Sequence, residues 1–446
     1  MGHEIVIGLH FYQPQRSATR PDLADISTDP EKKDWTAIIE KQCYEPLAQE
    51  GVLRKASFDI YQSLLIRLEE LDPQVADIYK KSMLTNGIGE AFIHPILPNL
   101  SNLDKNIVIA AGVSRFKAIT GQTPKIFWPP ETAIDQDTLE SLVGNGYQGF
   151  ICAPEQIIQS DGTDSNNQPT RINLKNGQSL IAFPFDREIS NHLAFDHEAK
   201  KNADQFTATI IKPKNEQIKK TQRIIAWTDA ETFGHHSPLS DKFLSYLLET
   251  SLPQTGLYPV SINSLLETDL ELPEGRIVER SAWSCPHGNL VRWQDSCGCN
   301  EGKDTSWKRP FSSAMEYLNR SVSEIIAQQV GPSYSSLVVE NFYNHFAHPK
   351  LINDTTKALV AAKISSLVAQ TSCATFFSSP EVSGKINLLY AYQALVYLQE
   401  SGLSNVAATL SNNFYRQLSS ITYPNSRDTA LTTLNKMLGH RATCYT

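Results

Sequence analysis

The sequence predicts an α/β chain: a βα-repeating barrel domain followed by an α-helical domain. Three observations carry this. Five short apolar runs, IVIGL at 5–9, IFW at 126–128, GFIC at 149–152, LIAF at 180–183 and IIAW at 224–227, read as strands buried on both faces of a parallel sheet. Amphipathic helical stretches lie between the first two, at 61–71, stopped by Asp72-Pro73, and at 107–120, stopped by Gly121. Beyond about residue 300 the helical period dominates, with Met315, Leu318, Val322 and Ile325 on one face and Leu388, Ala391, Tyr392, Leu395 and Leu398 on another. Strands alternating with helices close most simply into a barrel. The domains are read as 1–300 and 301–446.

The 446 residues exceed one ordinary domain, although an α/β barrel can take well over half of them. A net charge of -8 and the lack of any long Lys/Arg run exclude a nucleic-acid partner. The start, MGHEIVIGLHFYQPQR, has no basic region before a long apolar run and reads as a buried strand. No apolar stretch reaches the roughly 18 residues that span a bilayer. No membrane association and a cytoplasmic location are expected. Seven cysteines, few and odd in number, fit a reduced compartment. The polar stretch 160–178, with Asp-Gly, Asn-Asn and Asn-Gly pairs, reads as an exposed loop or hairpin.

In α/β barrels the reactive groups gather where strands end. The first run leads into His10, Phe11, Tyr12 and Gln13, the second into Pro129, Pro130 and Glu131, and the last into Asp229, Glu231, Phe233, Gly234, His235 and His236. Sugar chemistry uses this mixture. Two carboxyls flank a glycosidic bond, aromatic faces such as that of Trp128 stack on a pyranose, and His10 and Gln13 hydrogen-bond hydroxyls. Taken singly, each feature has a plainer reading. Glu131 after Pro-Pro suits the first turn of a helix, a D-x-E pair is usually a solvated turn, and His10 is the sort of histidine often satisfied within a core. The coincidence at three strand ends points to a site.

The strings GLHFYQPQR (8–16), GIGEAFIHPILP (87–98), FWPPETAID (127–135) and WTDAETFGHH (227–236) resemble, in order and spacing, the motifs of glycoside hydrolase family 57. DWTAIIEKQCYEPLA (34–48) and SAWSCPHGNLVRWQDSCGC (281–299) are similar to a branch whose barrel is followed by a domain called DUF3536. The resemblance implies an incomplete (β/α)7 barrel followed by an α-helical bundle, acting on α-glucans with retention. Activities in the family include α-amylase, amylopullulanase, 4-α-glucanotransferase, branching enzyme and α-galactosidase. It implies Glu131 as nucleophile and Asp229 as acid/base. It also implies substrate-binding roles for His10, Glu90, His94, Glu231, His235 and Trp283, and for His287 and Trp293 with Arg292 and Asp295 in the last motif. An acid role for Asp229 at neutral pH requires its pKa to be raised by burial and by the negative Glu131. In one respect the chain departs from the pattern: the first motif commonly carries two histidines two residues apart, and the earlier one is here Gly8.

Cys285, His287, Cys297 and Cys299 offer donors that zinc accepts, but their spacing is not a standard C-x2-C pair. The reading of this segment as part of a sugar site outweighs it, so no metal and no cofactor is assigned and the cysteines are expected as free thiols. Two other readings stand beside the α-glucan enzyme. One is a metal-dependent deacetylase-like hydrolase using His10, Asp229 and His235. The other is a glycan-binding protein without catalysis. The expected partner is an α-glucan or oligosaccharide, and the sequence says nothing of the oligomeric state.

Overall fold

The computed structural model describes residues 3–439 except 30, 161, 163–166, 219–221, 269–271, 300–302, 353, 381–383 and 425. Among the described residues ten strands run in chain order: β1 (His3–Phe11), β2 (Ser57–Ile60), β3 (Ile126–Phe127), β4 (Gly149–Cys152), β5 (Ile157–Gln159), β6 (Thr170–Asn173), β7 (Ser179–Pro184), β8 (Ile224–Asp229), β9 (Leu257–Pro259) and β10 (Glu274–Ile277). All five apolar runs are among them. The short run SFDI of β2 escaped the sequence reading because its Asp59 breaks the apolar pattern.

The chain divides into two compact units. The first comprises 1–13, 34–91 and 112–283, and the second 14–33, 92–111 and 284–446. In the first unit, β1 pairs in parallel with β8 on one side and with β2 and β9 on the other. Parallel bridges Phe58↔Gly87 and Gly89↔Phe127 carry the sheet across residues 87–89 to β3, which is parallel to β4, itself parallel to β7. The order β8-β1-β2-(87–89)-β3-β4-β7 is thus a seven-stranded parallel wall. Its two ends, β7 and β8, are not paired as strands. A single backbone hydrogen bond, Asp186 N donating to Ile225 O at 2.6 Å, crosses that seam. This is the incomplete barrel. Its strands read as uninterrupted apolar runs because both faces are covered, and Ile5, Val6, Ile7, Leu9 and Phe11 of β1 are fully buried. The stretch 160–178 contributes β6, which turns at Gly177 (φ +82°) into β7 as an antiparallel hairpin; part of that stretch lies outside the described residues.

The second unit is helical, with long helices Lys308–Val330, Tyr334–Ala347, Thr355–Val368, Gly384–Glu400 and Ser404–Ser420. On the first of these the buried face is Met315, Leu318, Val322 and Ile326. Ile326, not the expected Ile325, continues the stripe, since it lies three full turns beyond Met315. Thr355–Val368 and Gly384–Glu400 are buried almost all round and pack on each other, which marks them as the core pair. The buried cation of the first of them is satisfied internally. Lys363 Nζ, fully buried, pairs with Asp104 Oδ1 at 2.6 Å and donates to Asn319 Oδ1 and Ser323 Oγ at 2.7 Å each. Among the described residues no helix is long and apolar enough to cross a membrane.

Candidate active site

His10 sits at the end of β1 with register partners on both neighbouring strands, Asp59 on β2 and Asp229 on β8. Its Nδ1–H donates to Asp59 Oδ2 at 2.5 Å, and both groups are buried. Burial alone would lower the imidazole pKa. The charge and hydrogen bond of Asp59, helped by Asp229 and Glu231, outweigh it and raise His10 to about 9. His10 is therefore an imidazolium at neutral pH.

Behind Asp59 stands Glu90, held well above the carboxylate range by burial first and then by the charge of Asp59, with which it hydrogen-bonds. Asp59 Oδ1 and Glu90 Oε2 are both buried without a donor. A proton kept on Glu90 supplies one, giving the chain Glu90–Asp59–His10 with a single negative charge at its centre. Gln62 Nε2 donates to Glu90 Oε1 at 3.4 Å.

A second buried carboxyl, Glu231, follows β8. Tyr44 OH and Gln13 Nε2 (3.2 Å) both donate to its Oε1. Burial and the nearby Asp229 raise Glu231 to about 7 against the pull of these donors. Tyr44 ends a π-helical turn, Glu40–Tyr44, which lies close over the strand-end loop. Cys43 Sγ donates to Ala230 O at 3.1 Å. Gly234, at φ +124°, leaves no room for a Cβ, which would lie 2.0 Å from Gln42 O.

The carboxyl of Asp229 is open to solvent at the end of β8. The protein around it nonetheless displaces enough water to raise its pKa, while His10 and His236 pull the other way. Glu131, partly exposed, occupies the left-handed region (φ 58°, ψ 18°), and Thr132 follows at φ 48°. Two successive non-glycine residues in this region cost about 1–3 kcal/mol each and persist only where surroundings hold them. Here Thr132 is clamped. Its Oγ1 donates to Gln156 Oε1 at 2.8 Å and accepts from Trp283 N at 3.0 Å, while its carbonyl accepts from Gln156 Nε2 at 2.8 Å. The charge of Glu131 reaches Tyr61, whose phenol is raised by burial first and then by Glu90, Asp59, Tyr12 and Glu131. Tyr61 in turn lies edge-on to His10 at 5.7 Å. Glu131 thus acts on Tyr61, whereas Asp229 acts on His10, its register partner.

Trp128 is only 1 % exposed and lies against His10 (4.9 Å) and Trp227 (5.6 Å). It has no face open to a pyranose, which corrects the expectation of a sugar platform: the ring is a wall supporting His10. Trp283, partly exposed, meets Trp128 edge-on at 5.9 Å and Phe185 at 5.5 Å. The space beside Gly8 belongs to Trp227, its register partner, whose Cε3 would be 2.0 Å from a Cβ at position 8. His235 Nδ1 bonds Gln42 Oε1 at 2.7 Å, and burial, then His236, lower its pKa.

Of the expected site residues, His10, Gln13, Glu90, Trp128, Glu131, Asp229, Glu231, His235 and Trp283 belong to the first unit. His94, His287 and Trp293 belong to the second. There His94 is buried with Nδ1 2.7 Å from Ser372 Oγ. Trp293 is buried with its ring 6.2 Å from that of Phe376, and His287 is exposed. Asp59, Tyr44 and Trp227 were not anticipated. Among the described residues, His10, Asp229 and His235 do not converge as metal donors; the group close enough to share an ion is Cys285, His287, Cys297 and Cys299. Cys297 and Cys299 are joined as a disulfide, which corrects the expectation of free thiols there.

Carboxyls, an imidazolium and aromatic rings gathered at the strand ends of an incomplete parallel barrel define a carbohydrate-processing type of enzyme. The chain belongs to glycosyl hydrolase family 57, whose sequence profile matches residues 24–273, more than half of its length. No curated protein matches it. Among solved structures, an exo-type maltose-forming amylase from Pyrococcus sp. ST04 is similar over 98% of this chain and 89% of its own, with a TM-score of 0.72 at 16% identity. A family 57 branching enzyme from Thermococcus kodakaraensis is similar over 98% and 94%, with a TM-score of 0.63 at 15% identity. A 4-alpha-glucanotransferase from Thermococcus litoralis is similar over 94% of this chain and 60% of its own, with a TM-score of 0.58 at 14% identity. At these identities the likeness is one of fold.

Proposed function

We propose that the chain is an α-glucan-active retaining glycoside hydrolase or glucanotransferase, working by double displacement with Glu131 as nucleophile and Asp229 as acid/base. The observation that carries this reading is that both carboxyls follow strands of one barrel, Glu131 just after β3 and Asp229 at the end of β8 beside His10. The names of the similar structures, an amylase, a branching enzyme and a glucanotransferase, support the substrate class.

In the first step Glu131 attacks the anomeric carbon from a backbone conformation fixed by the Thr132 clamp. Asp229, its pKa raised by the surrounding protein, donates a proton to the leaving oxygen. The His10 imidazolium, fixed by Asp59, presents its other N–H toward a sugar hydroxyl. Asp229 then acts as base toward water, giving hydrolysis, or toward a sugar hydroxyl, giving transfer. The 281–299 segment accords with the branch carrying a DUF3536-type region, and the few cysteines, seven in 446 residues, accord with a cytoplasmic location.

The test is incubation with maltooligosaccharides, amylose and glycogen, with products and their anomeric configuration followed by NMR. Products initially in the α configuration support the reading. An initial β product, or no turnover of any α-glucan, sinks it.

A further inference from the structure

We propose that Cys285, His287, Cys297 and Cys299 form a binding site for one zinc ion in the second unit, available when the three cysteines are thiols. The four donor atoms lie within 4.8 Å of one another. Cys285 Sγ is 3.9 Å from Cys299 Sγ and 3.8 Å from His287 Nδ1. A tetrahedral zinc with sulfur at about 2.3 Å and nitrogen at about 2.0–2.1 Å sets ligand separations of about 3.5–3.8 Å. Two of the three edges of the tetrahedron that meet at Cys285, those to His287 and Cys299, are therefore close to their final lengths.

The backbone explains how a sequence without paired C-x2-C motifs achieves this. The donors come as two short clips at opposite ends of one loop, C-P-H at 285–287 and C-G-C at 297–299. Gly288 N donates to Cys285 O at 2.8 Å, closing a tight turn that returns His287 beside Cys285. Gly288 and Gly298 both adopt positive φ, +66° and +74°, with open space around them. The loop is anchored apart from any metal. Arg292 Nη1 donates to Ser284 O at 2.6 Å and its Nε to Phe376 O at 3.1 Å, and Trp293 is buried. Lys308 Nζ donates to Arg292 O at 2.9 Å and lies within electrostatic reach of Cys285, a cation placed to offset an anionic thiolate cluster.

Cys297 and Cys299 are joined as a disulfide in the structure, so the binding form lies one reduction away. A dithiol reductant supplies two electrons and two protons, opens the S–S bond to two thiols and becomes a disulfide itself. Zinc then displaces the three thiol protons and binds the neutral imidazole, leaving a complex of net charge −1, with no change in the oxidation state of the metal. As a ligand, His287 holds the loop rather than a sugar. The inference stands independently of the glycosidase reading.

The full-length chain, reduced with excess dithiol and freed of it without air, is titrated with Zn²⁺ and separately with Co²⁺. The site binds one zinc per chain. Cobalt gives thiolate-to-metal charge transfer and the intense visible bands of tetrahedral Co²⁺, and bound zinc removes three of the seven cysteines from reaction with a thiol reagent. Cys285→Ser and Cys299→Ser weaken zinc binding about 100-fold or more, while Cys373→Ser leaves it unchanged. No stoichiometric zinc, cobalt bands without thiolate charge transfer, unchanged affinity in Cys285→Ser, or a 297–299 disulfide that persists in excess dithiol would each overturn the proposal. Thiol protection in the unsubstituted chain decides the matter if the serine variants fail to fold.

Discussion

His10 Nδ1 and Asp59 Oδ2 meet at 2.5 Å across two parallel strands on which the residues are direct register partners. The pair predicts that His10 titrates near pH 9. In Asp59→Asn burial is less opposed, and the imidazole pKa falls toward the ordinary value of about 6.5. Because the folded value is the raised one, this contribution to stability is complete below about pH 6.5 and disappears as pH rises through about 9. The stability gap between the native chain and Asp59→Asn therefore narrows across that window. NMR titration of the ring and urea unfolding at each pH read both effects; an unshifted His10 in Asp59→Asn refutes the pairing.

Glu231 gives a second pH dependence. Its folded pKa of about 7 lies above the unfolded value, so its contribution is present below about pH 4.5 and lost as pH rises through 7. Between pH 4 and 8.5 the native chain should lose about 3 kcal/mol more stability than Glu231→Gln, which keeps the shape and cannot ionise. Equal pH slopes for the two proteins would count against a buried, neutral-leaning Glu231.

Position 8 should resist any side chain while Trp227 is present. Gly8→Ala puts a Cβ into the indole and is expected to cost about 1–3 kcal/mol or more through overpacking. Trp227→Leu leaves a cavity and is expected to cost about 2–4 kcal/mol. The double variant should be less destabilised than the sum, since the smaller residue makes room for the new methyl. Additive losses would show that the two positions do not share one space.

The proposed roles of Glu131 and Asp229 separate chemically. Glu131→Gln keeps shape but cannot form a glycosyl-enzyme, and turnover should stop with the fold intact. Asp229→Asn should still react with an activated glycoside that needs little acid help, then stall for lack of a base. Azide should restart it and yield an α-glycosyl azide, whereas Glu131→Ala with azide should yield the β product. Near-normal activity of Asp229→Asn on natural glucans would move the acid/base role elsewhere, with Glu231 the next residue to test.

The parallel wall was legible because its strands are buried on both faces and read as unbroken apolar runs. The segments that escaped, β2 and residues 87–89, are those where buried polar or small residues interrupt the run: Asp59 in one, Gly87 and Gly89 in the other. Asp59 was missed as a site residue for the same reason. A lone acid within SFDI carries no signal until the register sets it beside His10. Tyr44 lay within a string already recognised as family-like, but its reach to Glu231 depends on a π-helical turn that no periodicity announces. Trp128 was misjudged because an aromatic at a strand end looks the same in sequence whether it faces solvent or stacks under a histidine.

The layer holding His10 also dictates the order in which the chain can become a catalyst. β1 is made first, yet its partner β8 emerges more than two hundred residues later; at the usual pace of synthesis that is a wait of roughly 10–45 s. During that interval one edge of HEIVIGLHF has no neighbour to pair with, which exposes a strongly apolar template to other chains. The strands from β2 to β7 can assemble beside it, but His10 and Asp229 become register partners only when β8 docks. The nascent chain is therefore both most adhesive and without its His10–Asp229 pairing until the same event ends both conditions.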